Sequence, residues 1–307
     1  VGIFAVYVSF FPKLVAGPIE RATNLLPQFF EKQYFDYNRV TDGLKLMLWG
    51  FFKKVVIADR LALTVNMVFN NVYDYEGMSL ILATFFFAFQ IYCDFSGYSD
   101  IVIGSAQVLG IRLVDNFNRP YFSRSISEFW KRWHISLYSW FKDYLYIPLG
   151  GNRVSVPRWY ANILIVFVVS GLWHGANWTF VVWGALHGFY LIFEIITTPL
   201  KNTVLQLSGV ARFPKVVQAM EIGFTFILVS IVWIFFRANS LSEAFYILTH
   251  MLEGLSLSLP RDLGLGWISF MYILGMIVFM EIIQALQGQT HLRQFLSDKS
   301  TLFRWLI

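Results

Sequence analysis

The feature that most constrains this chain is a run of 35 residues, 159–193, that contains no Asp, Glu, Lys or Arg. The chain as a whole is 57% hydrophobic and 14% charged, whereas soluble domains carry about 25% charged residues. Further charge-free runs occupy residues 77–93, 222–236 and 263–280, each at or near the roughly 20 residues that cross a bilayer as a helix. The sequence therefore predicts an all-α polytopic membrane protein.

The long run is expected to break around His174. As one helix it would extend about 52 Å, more than a hydrocarbon core of about 30 Å, yet it looks too short for two full crossings with a loop. Gly171, Gly175 and Asn177 mark the break. Irregular backbone at membrane depth is tolerated where it is buried or lines a wet cavity. An ionisable residue there indicates a functional site, and a neutral imidazole suits general-base chemistry.

Alternatives exist for the histidines of this run. His174 could be a buried core residue whose imidazole is hydrogen-bonded to a carbonyl group. His187, in "WGALHG", has similar surroundings but no partner pattern, which favours a core role. The five histidines include no pair at four-residue spacing and the chain has a single cysteine, so the sequence predicts neither a metal site nor an internal disulfide.

Positive charge is concentrated in residues 111–158, which hold eight Arg or Lys against three acidic residues. The positive-inside rule places this segment in the cytoplasm. A nucleic-acid surface is the rival interpretation, but Trp and Tyr interleaved at the span ends fit a membrane-interface belt better. We therefore expect membrane lipid, and no nucleic acid, as a partner.

A second histidine lies within this basic segment. Ser125 and Glu128 have the spacing of a capping box, so a helix should begin near Ile126. One face of that helix would carry Trp130, His134, Leu137 and Phe141. Either His134 projects into the protein interior, or the helix lies in the interface and His134 bonds a carbonyl. The "PLGGN" that follows is predicted to be a turn.

Polar residues also follow the run 77–93 directly, in the sequence "DFSGYSD". They are Asp94, Ser96, Ser99 and Asp100. They could face a cavity, bind a cation, cap the next helix or pair internally, and capping and internal pairing are the favoured interpretations. Near 41–70 we expect a helix that is either tilted or packed inside the protein, since it contains several charges and charges rarely face lipid.

Four stretches together resemble the membrane-bound O-acyltransferase (MBOAT) family, and within it the bacterial alginate O-acetyltransferase branch, whose relatives include the D-alanyl transfer protein of teichoic acid modification. They are "FFPKLVAGPIERATNLLPQF", "DFSGYSDIVIG", "NFNRPYFSRSISEFWKRWHISLYSWFKDYLYIPLGGNR" and "GLWHGANWTFVVWGALHG". The resemblance implies a single domain over residues 1–307, built as a ring of transmembrane and re-entrant helices around a central tunnel. It also implies further spans before Val1 and a multi-pass location in the bacterial inner membrane.

For the site, the resemblance places the family's invariant histidine on His174 and the second conserved histidine of the bacterial branch on His134. His174 would be the general base at the narrow middle of the tunnel, and His134 would orient the donor or polarise its carbonyl. The expected substrate-binding residues are Trp130, Trp133, Trp173, Asn177 and Trp178. Arg124, Lys131 and Arg132 would attract donor phosphates, unless they are ordinary positive-inside anchors.

The implied reaction moves an acetyl group from a cytoplasmic thioester, acetyl-CoA or an acyl carrier, to periplasmic acetyltransferase partners that modify an exported, alginate-like polysaccharide. No bound cofactor is expected. D-alanyl or other acyl transfer from a carrier protein to a cell-wall polymer is the alternative. Two alternative functions come from other classes of protein. One is a transporter that uses His174, Asp94 and Asp100 as a proton relay, and the other is a non-catalytic membrane scaffold.

Overall fold

The computed structural model describes residues 2–254, 263 and 265–289. The chain divides into two compact units, Val1–Leu259 and Pro260–Ile307. In the second unit the described structure is Leu263 and the helix α12, Trp267–Gln289, which overlaps the run predicted at 263–280. The expectation of one domain over the whole chain stays a prediction.

The first unit is helical throughout its described length, apart from connecting loops. Its helices are α1 Gly2–Ser9, α2 Ala22–Leu25, α3 Tyr37–Phe51, α4 Asp59–Phe69, α5 Gly77–Val108, α6 Ile126–Arg132, α7 Ile135–Phe141, α8 Val156–His174, α9 Trp178–Leu207, α10 Pro214–Arg237 and α11 Leu241–His250. Two π-helical segments, Phe52–Ala58 and Lys142–Tyr146, continue α3 into α4 and extend α7. Five helices, α5, α8, α9, α10 and α12, are long and apolar enough to cross a membrane. The prediction of an all-α polytopic protein is confirmed.

Helix α5 corrects one prediction. It runs for 32 residues and includes the whole of "DFSGYSD", so Asp94 and Asp100 lie inside a helix and do not cap the next one. Internal pairing holds instead: Lys53 Nζ lies 2.8 Å from an Asp100 oxygen and donates to Ser96 Oγ at 2.9 Å, and Lys54 Nζ lies 2.7 Å from Asp94. Because neighbouring lysines balance its carboxylates, α5 continues past them.

The long charge-free run folds as a helical hairpin. As predicted, the helix breaks after His174, and the next helix begins at Trp178 with Asn177 as its N-cap, whose Oδ1 accepts from Thr179 N at 3.0 Å. The expectation of less than two crossings is wrong. The two helices extend beyond the run at both ends and contain 19 and 30 residues, so each is long enough to span.

The hairpin depends on glycine where α8 and α9 meet. A Cβ added at Gly171 would lie 2.2 Å from the carbonyl oxygen of Phe180, and one at Gly184 would lie 2.2 Å from that of Phe167. Both contacts are with backbone, which cannot move aside as a side-chain tip can. The helices therefore approach closely enough for only a hydrogen to fit at these two positions.

We expect Gly184→Ala to destabilise the protein by about 1–3 kcal/mol, the usual range for overpacking. The measurement is the midpoint of thermal denaturation of the purified protein in detergent. Gly223→Ala is the matched control, because Gly223 also lies in a spanning helix but an added Cβ meets nothing within 4 Å. Equal midpoints for the two variants would contradict the close approach.

Helices α6 and α7 form a V with His134 at its tip. At its open end, Ile126 N donates to Glu194 Oε2 at 2.7 Å, far along α9 from the hairpin turn. The returning arm is tied to the first turn of α8, where Trp159 Nε1 donates to the Tyr146 hydroxyl at 2.9 Å. The tip of the V lies instead beside the hairpin turn, against Trp173. Both ends of the V therefore lie at the end of the α8–α9 hairpin that is opposite its turn.

Candidate active site

His134 is the residue at the tip of the V. The predicted start of α6 at Ile126 is confirmed, with Ser125 Oγ accepting from Glu128 N at 3.1 Å. The prediction of one continuous helical face through His134 is wrong: α6 ends at Arg132, and His134 adopts the left-handed conformation with φ 45° and ψ 52°. For a residue with a Cβ this costs roughly 1–2 kcal/mol. Such strain persists where surrounding contacts over-determine the backbone, often at functional sites.

The imidazole of His134 is buried among aromatic rings. Its ring centroid lies 4.6 Å from that of Phe95, in an edge-to-face arrangement, and 6.5 Å from that of Trp173. Burial lowers the pKa of His134 to about 3, with a smaller contribution from His174, so the ring is neutral at pH 7. Among the described residues none hydrogen-bonds this imidazole, and the carbonyl-bonded alternative is not observed.

His174 is the last residue of α8 and follows Trp173 directly. Its ring centroid lies 4.9 Å from that of Trp173, 5.1 Å from that of Trp183 and 5.2 Å from that of Phe236. It too has no hydrogen-bond partner within the part of the chain that the structure describes. Both histidines therefore lie near the same tryptophan ring, that of Trp173. His174 ends a helix of span length, so its predicted position at the narrow middle of a tunnel stays a prediction.

A cavity of about 450 Å³ lies between the V and the hairpin. Its wall includes Trp130, Lys131, His134, Leu137, Phe141, Lys142, Trp159, Ile163, Phe167, Ser170 and Glu194. Along α8 it extends from Trp159 to Ser170, about 16 Å at the helical rise. The four residues predicted to share a helix face, Trp130 to Phe141, do face this cavity together, although the backbone breaks between them. His174 is not on the wall but lies one helical turn beyond Ser170.

Trp130 is the one predicted substrate-binding residue that the structure places on this wall. Its Nε1 donates to His187 Nδ1 at 3.3 Å, and the rings meet edge to face with centroids 4.8 Å apart. His187 is fully buried. His187 is therefore a core residue, as favoured, and its hydrogen bond holds the cavity-lining Trp130 in place.

The other four predicted substrate-binding residues lie off the wall. Trp133 is buried in the core, with its ring centroid 5.0 Å from that of Trp233, because the extended backbone at 133 turns its side chain away from the cavity. Trp173 and Trp178 are 56% and 72% exposed, and Asn177 caps α9 at the hairpin turn. A substrate-binding role for these four stays a prediction that this cavity does not support.

The basic residues fall into two groups. Arg124 Nε pairs with Glu221 at 2.7 Å, and Arg132 pairs with Glu128 at 2.5 Å. Lys131 and Lys142 line the cavity, and neither has an ion pair among the residues described here. Positive charge on the cavity wall is therefore supplied by Lys131, one of the three predicted residues, and by Lys142, which was not among them.

Sequence reasoning missed several residues of the wall, notably Ser170, Lys142 and Glu194. Two of them carried a signal. Ser170 precedes His174 by one helical turn, and Glu194 is the first charge after the long apolar run. Glu194 Oε2 accepts from Ile126 N and, at 3.3 Å, from Ser127 N, so this carboxylate fixes the start of the V.

Comparison with known proteins agrees with this architecture. The profile of the membrane-bound O-acyltransferase family matches residues 3–238. The chain is 40% identical over 262 residues to a peptidoglycan O-acetyltransferase of Helicobacter pylori, covering 83% of this chain and 47% of that protein. It is 42% identical over 241 residues to a probable alginate O-acetylase, AlgI, of Pseudomonas aeruginosa, covering 78% and 44%. The chain belongs to the membrane-bound O-acyltransferase family.

A more distant relative represents the other expected branch. A teichoic acid D-alanyltransferase of Streptococcus thermophilus is 28% identical over 260 residues, covering 76% of this chain and 61% of that protein. The chain spans about half the length of the O-acetyltransferase relatives it matches. The family is thereby established, together with a multi-pass membrane architecture.

Proposed function

We propose that the protein transfers an acetyl group from acetyl-CoA for the O-acetylation of an exported, alginate-like polysaccharide. The observation that carries the proposal is the placement of His134, a buried neutral imidazole without a protein hydrogen bond in the described structure, on the wall of a 450 Å³ cavity beside His174. Relatives at about 40% identity are named as O-acetylating proteins. They support acetyl as the transferred group.

In the proposed reaction the acceptor hydroxyl oxygen attacks the thioester carbonyl carbon. His174 takes the hydroxyl proton, the C–S bond breaks, and the proton passes to the departing thiolate as the ester forms. A positioned base of this kind contributes about 10²–10⁴ in rate. His134, neutral and facing the cavity, donates one N–H to the carbonyl oxygen as negative charge develops there.

The cavity wall suits the donor in two respects. Its middle is apolar, formed by residues such as Ile163 and Phe167, which exclude the water that would hydrolyse a thioester. Lys131 and Lys142 add positive charge, which attracts the phosphates of CoA. The excess of Arg and Lys in residues 111–158 supports a cytoplasmic position for this entrance, and we propose the bacterial inner membrane as the location.

The acceptor side completes the proposal. Periplasmic acetyltransferase proteins would receive the acetyl group at the hairpin turn, where His174 lies between Trp173 and Phe236. From them it would pass to the polysaccharide. The thioester is broken only when an acceptor hydroxyl attacks it, so a soluble hydroxyl acceptor takes the place of the partner proteins when the full-length protein is assayed alone.

D-alanyl transfer is the alternative acyl transfer, and one observation bears on it. An alanyl group carries an ammonium, which needs an available carboxylate. Glu194 is the one carboxylate among the lining residues, and backbone N–H groups of α6 already bond one of its two oxygens, Oε2. Two lysines on the same wall repel an ammonium, so the wall favours an acetyl donor.

The test measures thiol release by purified full-length protein with acetyl-CoA or a D-alanyl carrier protein as donor and an alginate oligosaccharide as acceptor. We expect acetyl-CoA to have the higher kcat/KM. Replacing Lys131 and Lys142 together by Glu should raise the KM for acetyl-CoA at least about tenfold, with kcat changed less than about twofold, because the charges act on binding.

Lys215→Glu is the matched control, since Lys215 is an exposed lysine in the first turn of α10 and does not line the cavity. Its KM should equal that of the unmodified protein. A preference for the carrier protein would overturn the acetyl assignment. An unchanged KM in the double variant would remove the lysines from donor binding.

A further inference from the structure

The conformation of His134 is enforced by a short segment between α5 and α6, centred on Asn116. Asn116 is buried and bonds both residues that follow His134. Its backbone oxygen accepts from Ile135 N at 2.9 Å, and its Oδ1 accepts from Ser136 Oγ at 2.6 Å and from Ser136 N at 3.3 Å. Its Nδ2 donates to Ser99 Oγ at 3.4 Å. One side chain thus ties the tip of the V to α5.

The same segment holds the residues that precede His134. Asn118 N donates to the Arg132 carbonyl oxygen at 2.9 Å, and Phe117 pairs with Trp133 in an antiparallel bridge. His134 is therefore the one residue between two anchored pairs, 132–133 and 135–136. Contacts on both sides of His134 therefore fix its backbone, as is required for a left-handed residue other than glycine to persist.

Ser136 completes the network. Its hydroxyl donates to Asn116 Oδ1 and accepts from Ile19 N at 3.0 Å, and the residue is 2% exposed. Removal of the Asn116 acceptor would leave the hydroxyl proton and the N–H of Ser136 without an acceptor in a buried position, which is unfavourable. The tip would relax toward an ordinary backbone conformation, and the imidazole would turn from its place on the cavity wall.

We propose that Asn116 is a positioning residue, which acts through Ser136 to hold His134 in the conformation that points its imidazole into the cavity. The inference rests on the proposed function, because it assumes that His134 takes part in transfer. Asn116 does not line the cavity itself. Its loss should therefore lower kcat and leave the KM for the donor nearly unchanged.

The experiment compares substitutions in the full-length protein, with activity expressed per folded molecule counted by size-exclusion chromatography in detergent. Asn116→Leu keeps the shape and removes the acceptor, whereas Asn116→Asp keeps an acceptor for Ser136. Asn118→Leu is the matched control, since Asn118 is exposed and its anchoring bond comes from the backbone. His134→Ala is measured in parallel.

We expect Asn116→Leu to lower kcat at least about tenfold with the KM for acetyl-CoA within about twofold, and Asn116→Asp to recover most of that loss. Asn118→Leu should behave as the unmodified protein. Full kcat in Asn116→Leu beside an inactive His134→Ala would overturn the inference, as would a loss that Asn116→Asp does not reduce. Full activity in His134→Ala would instead overturn the role of His134 in the proposed function.

If Asn116→Leu does not yield folded protein, Ser136→Ala replaces it, because this change removes the same hydroxyl bond from the other side. A fall in kcat at unchanged KM would again support the inference. Unchanged kcat in Ser136→Ala would count against it.

Discussion

Cells that carry the full-length protein with His174→Ala should lose polysaccharide O-acetylation, with a fall of at least about 100-fold in acetyl content per unit of protein. The physical reason is the loss of the base that takes the hydroxyl proton, a contribution of about 10²–10⁴. The measurement is alkali-labile acetate released from purified polysaccharide, with membrane abundance determined in parallel, because a histidine packed against three aromatic rings also contributes to folding.

His250→Ala is the matched control for that experiment. His250 is a histidine at the end of a helix, as His174 is, but it stacks on Tyr246 with ring centroids 3.9 Å apart and does not line the cavity. Acetylation should be unaffected in this variant. Normal acetyl content in His174→Ala at normal abundance would reject the mechanism and leave His174 as a core residue of a scaffold.

A combined His134→Ala, His174→Ala variant tests whether the two histidines act as one catalytic unit. Residues that act as one catalytic unit give losses that do not add, because removing either one already disables the unit. We therefore expect the double variant to lose little more than the stronger single variant. The shared contact of both rings with Trp173 is the structural basis for treating them as one unit.

Charge patterning and helix length in the sequence were sufficient to predict the membrane class and the break after His174, although they predicted too few crossings for the run 159–193. These features follow from local rules, namely bilayer thickness, the cost of a buried charge and the effect of Gly and Asn on a helix. The capping box at Ser125 is local in the same way, and α6 begins where it predicts. The resemblance to a family then assigned roles to two histidines that pattern alone left open.

The features that the sequence did not reveal depend on residues far apart in the chain. Asn116 holds the left-handed backbone conformation at His134. The sequence did not reveal this break, because the residues on either side of it keep the spacing of one continuous helix. Helix α5 continues past Asp94 and Asp100 because Lys53 and Lys54, some 40 residues earlier, neutralise them. Trp133 is buried because of the backbone turn at His134, and Trp173 is exposed because it lies at the turn of the α8–α9 hairpin. Neither result could be obtained from composition.

The second large expected effect concerns the cavity. Ser170→Phe should reduce acetyl transfer at least about 100-fold, because Ser170 is 6% exposed and is the last α8 residue on the cavity wall, one helical turn before His174. A phenyl ring at this position fills the space through which a thioester would reach His134. The measurement is acetyl transfer from acetyl-CoA by the purified full-length protein.

Val169→Phe is the matched control, since Val169 is the neighbouring residue, is 38% exposed and does not line the cavity. It adds a similar ring to the outer face of α8 and should leave transfer unchanged. A graded series separates blockage from misfolding: Ser170→Ala, Ser170→Val and Ser170→Phe should lose activity in order of side-chain volume at similar thermal stability, since overpacking that unfolds the protein would also lower its midpoint. Full activity in Ser170→Phe would mean that the donor reaches the histidines by another route, and the lysines on this wall would then lose their proposed role as well.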